Sequence, residues 1–164
     1  MNLHVLIESI PVNPEEQDAA ILECLSLMRH LNSEYKIADI FLRSDDTKTA
    51  VIDRIKADFS CAISNLNSGS NRFHQVRELI KSLPNSDILI VVYCYVIQFN
   101  EIQSKRILSE AIKEGNAIAA ENLSIQAYSI YDLKMAYDQN YRPNYSNEIE
   151  VLKTFGFPIN YVNA

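Results

Sequence analysis

The chain alternates short apolar runs with longer segments in which apolar residues return every third or fourth position. Its most apolar run is Ile88-Leu89-Ile90-Val91-Val92-Tyr93-Cys94-Tyr95-Val96-Ile97, introduced by Pro84-Asn85-Ser86-Asp87. A continuous apolar run, rich in β-branched residues and bounded by turn residues, predicts a strand covered on both faces at the centre of a parallel sheet. Leu3-His4-Val5-Leu6-Ile7 predicts a first strand, closed by Pro11. Asn13-Pro14-Glu15-Glu16 then reads as a helix start, with a capping Asn, Pro at the first helical position and acids in the first turn. Ala20, Leu22 or Cys24, Leu27, Met28 and Leu31 recur at helical spacing, and Asn32-Ser33-Glu34 ends that helix. Lys36 to Leu42 predicts a second strand. Strand, helix and strand within about 40 residues make a βαβ unit, which requires a parallel pair and a right-handed crossover.

Ser44-Asp45-Asp46 has the chemistry of a cap for a helix over Thr47 to Ile63, and the clearest loop is residues 65–71. Arg72 to Leu83 predicts an amphipathic helix with Val76, Leu79, Ile80 and Leu83 on one side, stopped by Pro84. Glu101 to Glu114 predicts another, with Gly115 as its C-cap. Residues 116–122 fit either a continued helix or a short strand, and Leu123 to Ala127 either an edge strand or a loop. Ser129 to Asp138 reads as helix, Gln139 to Tyr145 as a polar aromatic loop, 146–155 as a last helix and Ile159 to Val162 as a last strand. The expectation is a three-layer α/β/α domain over residues 1–164, with a mainly parallel, flavodoxin-like sheet of four or five strands. Residues 139–164 are open between the end of that domain and a C-terminal extension.

Composition narrows the classes. At 164 residues with 48% hydrophobic and 22% charged residues, the chain fits one globular domain with a full core. A net charge of -6 has the wrong sign for general attraction to nucleic acid or an anionic membrane, so neither partner is expected. The apolar run at 88–97 is too short to cross a bilayer. The N-terminus has no basic leader and Glu8 interrupts its apolar stretch, so a cytoplasmic location is expected. With 3 glycines, at 69, 115 and 156, there is neither a dinucleotide fingerprint nor a P-loop. The histidines at 4, 30 and 74 are scattered without ligand spacing, so no metal and no cofactor is expected, and they read as surface or half-buried side chains. The acidic pairs Glu15-Glu16 and Asp45-Asp46 are explained by helix capping.

In an open parallel sheet, sites lie outside the carboxyl ends of the strands. Three segments are therefore predicted to meet at one edge: Glu8 to Asn13, Arg43 to Asp46, and Cys94 to Asn100. Cys94 is the candidate catalytic residue. A thiol entering a strand-to-helix turn meets unpaired backbone N–H groups and a helix dipole, which favour thiolate. The alternative is a packed, inert thiol, which is the ordinary fate of cysteine in an apolar strand. Cys24 reads as core, and Cys61 as a thiol with nothing to place it near Cys94. Tyrosines at 128, 131, 137, 141, 145 and 161 crowd the last third and fit either core and rim or an interaction surface.

The order of elements resembles the DsrE-like sulfur-relay proteins, the group with the TusD-type subunits. The resemblance rests on Leu3 to Ile7 with residues 11–31, on Ile40 to Asp46, on Phe73 to Leu83 with Ile88 to Cys94, and on Ala120 to Leu123 with Tyr128 to Leu133. It implies a sulfurtransferase or sulfur carrier in which Cys94 holds a persulfide and passes sulfur to a partner protein, within a homo- or hetero-oligomer. Gln98, Phe99 and Asn100 stand where that family often has Arg-Gly, so no neighbouring cation is expected to stabilise a thiolate. Two other functions compete with this one: a non-catalytic interaction or assembly module that keeps the fold without cysteine chemistry, and a small-molecule or nucleotide binder at the strand ends.

Overall fold

The computed structural model describes residues 1–8, 24, 26, 28–44, 49–67, 69–93, 101–121, 123–139 and 147–163. Among these, seven strands form one sheet: β1 (Leu3–Glu8), β2 (Ile37–Ser44), β3 (Ala62–Asn67), β4 (Ile88–Tyr93), β5 (Asn116–Ala119), β6 (Ile125–Ser129) and β7 (Ile159–Val162). The helices are α1, helical at 24, 26 and 28–34, then α2 (Thr49–Asp58), α3 (Arg72–Lys81), α4 (Glu101–Glu114), α5 (Ile130–Asp138) and α6 (Glu148–Thr154).

The strand order is β3-β2-β1-β4-β6-β5-β7, which puts β4 at the centre. β1 to β4 run parallel, β6 is antiparallel to both β4 and β5, and β7 is parallel to β5. All six residues of β1 and all six of β4 are buried, as the continuous apolar run requires of a strand covered on both faces. One face packs Leu3, Val5, Ile7, Ile88, Ile90 and Val92 against Met28 of α1, Ile55 of α2, and Ile107, Leu108 and Ala111 of α4. The other packs Leu6, Leu89, Val91 and Tyr128 against Phe73, Val76 and Ile80 of α3, Leu133 and Tyr137 of α5, and Val151 and Leu152 of α6. This is the expected three-layer arrangement with a mostly parallel sheet.

The sheet is wider than the four or five strands expected. Residues 62–67 form β3 rather than the end of a helix and the start of a loop. β3 is an edge strand paired with β2, and its Ile63 and Leu66 are partly buried against the two cores. Residues 116–119 and 125–129 form β5 and β6 around a turn at Leu123, whose φ is 55°. Residues 147–163 supply α6 and β7, and β7 adds to the sheet beside β5. None of the helices among the described residues is long and apolar enough to cross a membrane.

Candidate ligand site at the carboxyl edge of the sheet

On the α3/α5/α6 face, β1 ends in Glu8, whose neighbours in register are Arg43 on β2 and Tyr93 on β4. Between β1 and β4 the strand order reverses, and the crevice at such a switch point is where open α/β sheets receive ligands. Glu8 is only 2% exposed. Its Oε1 accepts from Arg72 Nε at 2.6 Å and its Oε2 from Arg43 Nη1 at 3.1 Å. Arg72 is the first residue of α3, a turn fixed by Asn71, whose Oδ1 accepts the His74 N–H at 3.1 Å. From there Arg72 Nη2 donates to Glu148 Oε2 at 3.1 Å. Glu148 opens α6, is fully buried, and follows a second capping asparagine, Asn147.

Glu148 Oε1 lies 2.9 Å from Arg72 Nη2 but outside hydrogen-bond geometry, so among the described residues it accepts no hydrogen bond. Arg43 also donates from Nε to Gln75 Oε1 at 2.7 Å and from Nη2 to the Ser70 carbonyl at 3.1 Å. The Tyr93 ring lies 5.9 Å from the Arg72 guanidinium carbon. Burial disfavours the charge on Arg72, but Glu148, Tyr93 and Glu8 outweigh it and hold its pKa well above the ordinary value. Burial, with Glu148 close by, pushes the Tyr128 and Tyr137 hydroxyls up, so both stay protonated. The arrangement is two guanidinium forks held by carboxylates, and such forks match the oxygens of phosphate or carboxylate.

The structure brings Glu8 and Arg43 together, as expected of the strand ends. Cys94 follows Tyr93 directly but lies outside the described residues, as do Glu15, Glu16, Asp45, Asp46, Tyr141 and Tyr145. Two guanidinium groups, Arg43 and Arg72, meet at this edge, whereas the expectation of no cation beside the Cys94 thiol falls outside the described residues. Cys24 is core, as expected. Cys61 is half-buried beside β3, and burial pushes its thiol pKa up, the reverse of activation. Tyr128 and Tyr137 are core, whereas Tyr131 and Tyr161 are exposed. Among the described residues no group of three His, Cys, Asp or Glu could hold a metal ion.

Sequence reasoning missed Arg72 and Glu148. Each reads as an ordinary charged residue in the first turn of an amphipathic helix. It also misjudged His4, which is buried rather than surface or half-buried. Its Nδ1 lies 2.7 Å from Asp39 Oδ1 and its Nε2 2.8 Å from Asp87 Oδ2. The spacing of His4, Leu6 and Glu8 on one face of a strand was the available signal.

No protein-family model and no curated protein sequence matches the chain. Solved structures do. A 4-diphosphocytidyl-2C-methyl-D-erythritol synthase from Anaerococcus prevotii superposes with a TM-score of 0.72 at 10% identity, covering 99% of this chain and 86% of that one. The Francisella tularensis 2-C-methyl-D-erythritol 4-phosphate cytidylyltransferase gives 0.63 at 16% identity, over 99% and 90%. A putative nucleotide-diphospho-sugar transferase from Desulfovibrio desulfuricans gives 0.56 at 9% identity, over 99% and 80%. These matches overturn the DsrE-like resemblance, and with it the sulfur-relay and persulfide reading. The segments that carried it are apolar periodicities common to parallel sheets, and they do not encode the reversed β6 or the addition of β7. At these identities the likeness is one of fold, and the fold of this chain is that of the cytidylyltransferases and the nucleotide-sugar transferase.

Proposed function

We propose that this chain binds a nucleotide through its phosphates at the carboxyl edge of β1, β2 and β4. The observation that carries the reading is the convergence of Arg43 and Arg72 on one carboxylate at the switch point of the sheet. The fold shared with proteins named for cytidylyl and nucleotide-sugar transfer supports the same ligand class. A phosphate competes with Glu8 for the two forks, and Tyr93 supplies an aromatic wall beside them. The reading stops at binding. Among the described residues both carboxylates at this edge, Glu8 and Glu148, are engaged by guanidinium groups. Transfer chemistry is not assigned to either.

Thermal melting with CTP, UTP, ATP and GTP, each with and without magnesium, tests the proposal. At least one nucleotide is expected to raise the melting temperature. Arg43→Ala is expected to weaken that nucleotide's binding by about 10-fold or more, the usual loss for a hydrogen bond to a charged group. Binding indifferent to Arg43, or no shift with any of the four at millimolar concentration, contradicts it.

A further inference from the structure

We propose that His4, Asp39 and Asp87 form a proton-dependent clamp that locks the amino edge of the sheet and opens when the cluster loses one of its two shared protons. His4 lies at the start of β1, between Asp39 on β2 and Asp87 in the turn before β4. His4 and Asp87 are 4% and 5% exposed, and Asp39 22%. The second Asp87 oxygen accepts the Asn2 N–H at 3.0 Å. Backbone bonds from Ile88 N to the Asn2 carbonyl and from Leu3 N to the Lys36 carbonyl complete the junction of the three strands.

The proton count follows from the bonding. Each ring nitrogen faces a carboxylate oxygen, so each bond needs its own proton. A neutral imidazole between two ionised carboxylates holds only one. Losing the second proton leaves a nitrogen lone pair facing a carboxylate, and one of the two links fails. The clamp and Glu8 share β1, four residues or about 13 Å apart, so the clamp also fixes the strand that presents Glu8.

The direction of the shifts agrees. Burial opposes charge on His4, but its bonds to Asp39 and Asp87 and their charges outweigh burial and raise its pKa. Burial opposes the Asp87 carboxylate too, yet the Asn2 N–H, His4 and the N-terminal amine lower its pKa. The His4 contribution is therefore complete below about 6.5, the unfolded histidine value. It is lost as pH rises through the raised folded value. The Asp87 contribution is present above about 3.9, the unfolded aspartate value, and is lost as pH falls through its lowered one. Among the described residues, the other titratable groups that act on or feel the cluster are the N-terminal amine, which acts on Asp87, and the neutral Cys61 thiol, which feels Asp39. Lys134 of α5 is bonded to the Leu83 carbonyl and to Asn85 Oδ1.

The test is amide hydrogen exchange of Leu3 and Ile88, taken as a ratio to Ile63 of β3 at the same pH so that intrinsic rates cancel. Between pH 6 and pH 9 the wild-type protection ratio is expected to fall by about 10-fold, one buried hydrogen bond's worth. His4→Gln is expected to remove the pH dependence. If that variant fails to fold, Asp39→Asn keeps the test alive. An asparagine amide can donate to the bare Nδ1, so this variant is expected to hold its protection at pH 9. A wild-type ratio that does not change with pH, or an Asp39→Asn ratio that falls as the wild type's does, overturns the clamp and assigns the titration elsewhere.

Discussion

Arg72→Ala is expected to destabilise the protein by about 3–5 kcal/mol, the range for removing one partner of a buried ion pair. The size follows from what stays behind. Glu148 is fully buried and Glu8 is 2% exposed, and both use Arg72 as a donor. Without it, Glu148 is a buried carboxylate with no ion-pair partner among the described residues, and among them Glu8 keeps Arg43. Urea unfolding measures the loss. The double change Arg72→Met with Glu148→Leu separates charge from packing, because replacing both partners by apolar groups of similar volume is often neutral or better. Recovery of most of the stability in the double variant is the expected result. A single variant within about 1 kcal/mol of wild type, the value of a surface pair, would mean that Glu148 is not buried as described.

Phe73→Ala is the second large effect, expected to cost about 3–5 kcal/mol for an aromatic side chain removed from a core. Phe73 is 1% exposed and packs on Tyr137 with ring centroids 5.0 Å apart, at the seam of α3, α5 and the sheet. Arg72 and Phe73 are adjacent on one turn of helix, so their losses are not expected to add. A loss below about 1 kcal/mol, too small for a buried ring, contradicts the packing of α3 against α5.

The central sheet was legible because burial on both faces leaves a mark that needs no partner: Ile88 to Tyr93 is apolar at every position, and Leu3 to Ile7 nearly so. Glu101 to Glu114 was legible to the residue, since its apolar period and the following Gly115 agree. The sheet margins were not. β3 (Ala62–Asn67) is an edge strand whose apolar residues, Ile63 and Leu66, are only partly buried, one on each core, and alternate irregularly with Ser64, Asn65 and Asn67. β5 and β6 are short, and among the described residues between them Leu123 stands at positive φ. The site was half legible. Topology alone predicted that Glu8 and Arg43 share an edge. Arg72 and Glu148 come to it from residues 64 and 140 positions beyond Glu8, and a charged residue in a first helical turn carries no sign of where it points. A lone thiol such as Cys94 is conspicuous in a strand, while an arginine on a helix is not.

The most direct test of nucleotide binding at this edge is the map of backbone amide chemical shifts as a nucleoside triphosphate with magnesium is titrated in. The account predicts perturbations clustered at the end of β1 around Glu8, at Arg43 on β2, at Tyr93 on β4 and at Ser70 to Gln75 entering α3. Perturbations centred on the amino edge around His4, or on the cleft of Arg106, Glu110 and Tyr161 beside β7, would contradict it, as would no perturbation at saturating nucleotide.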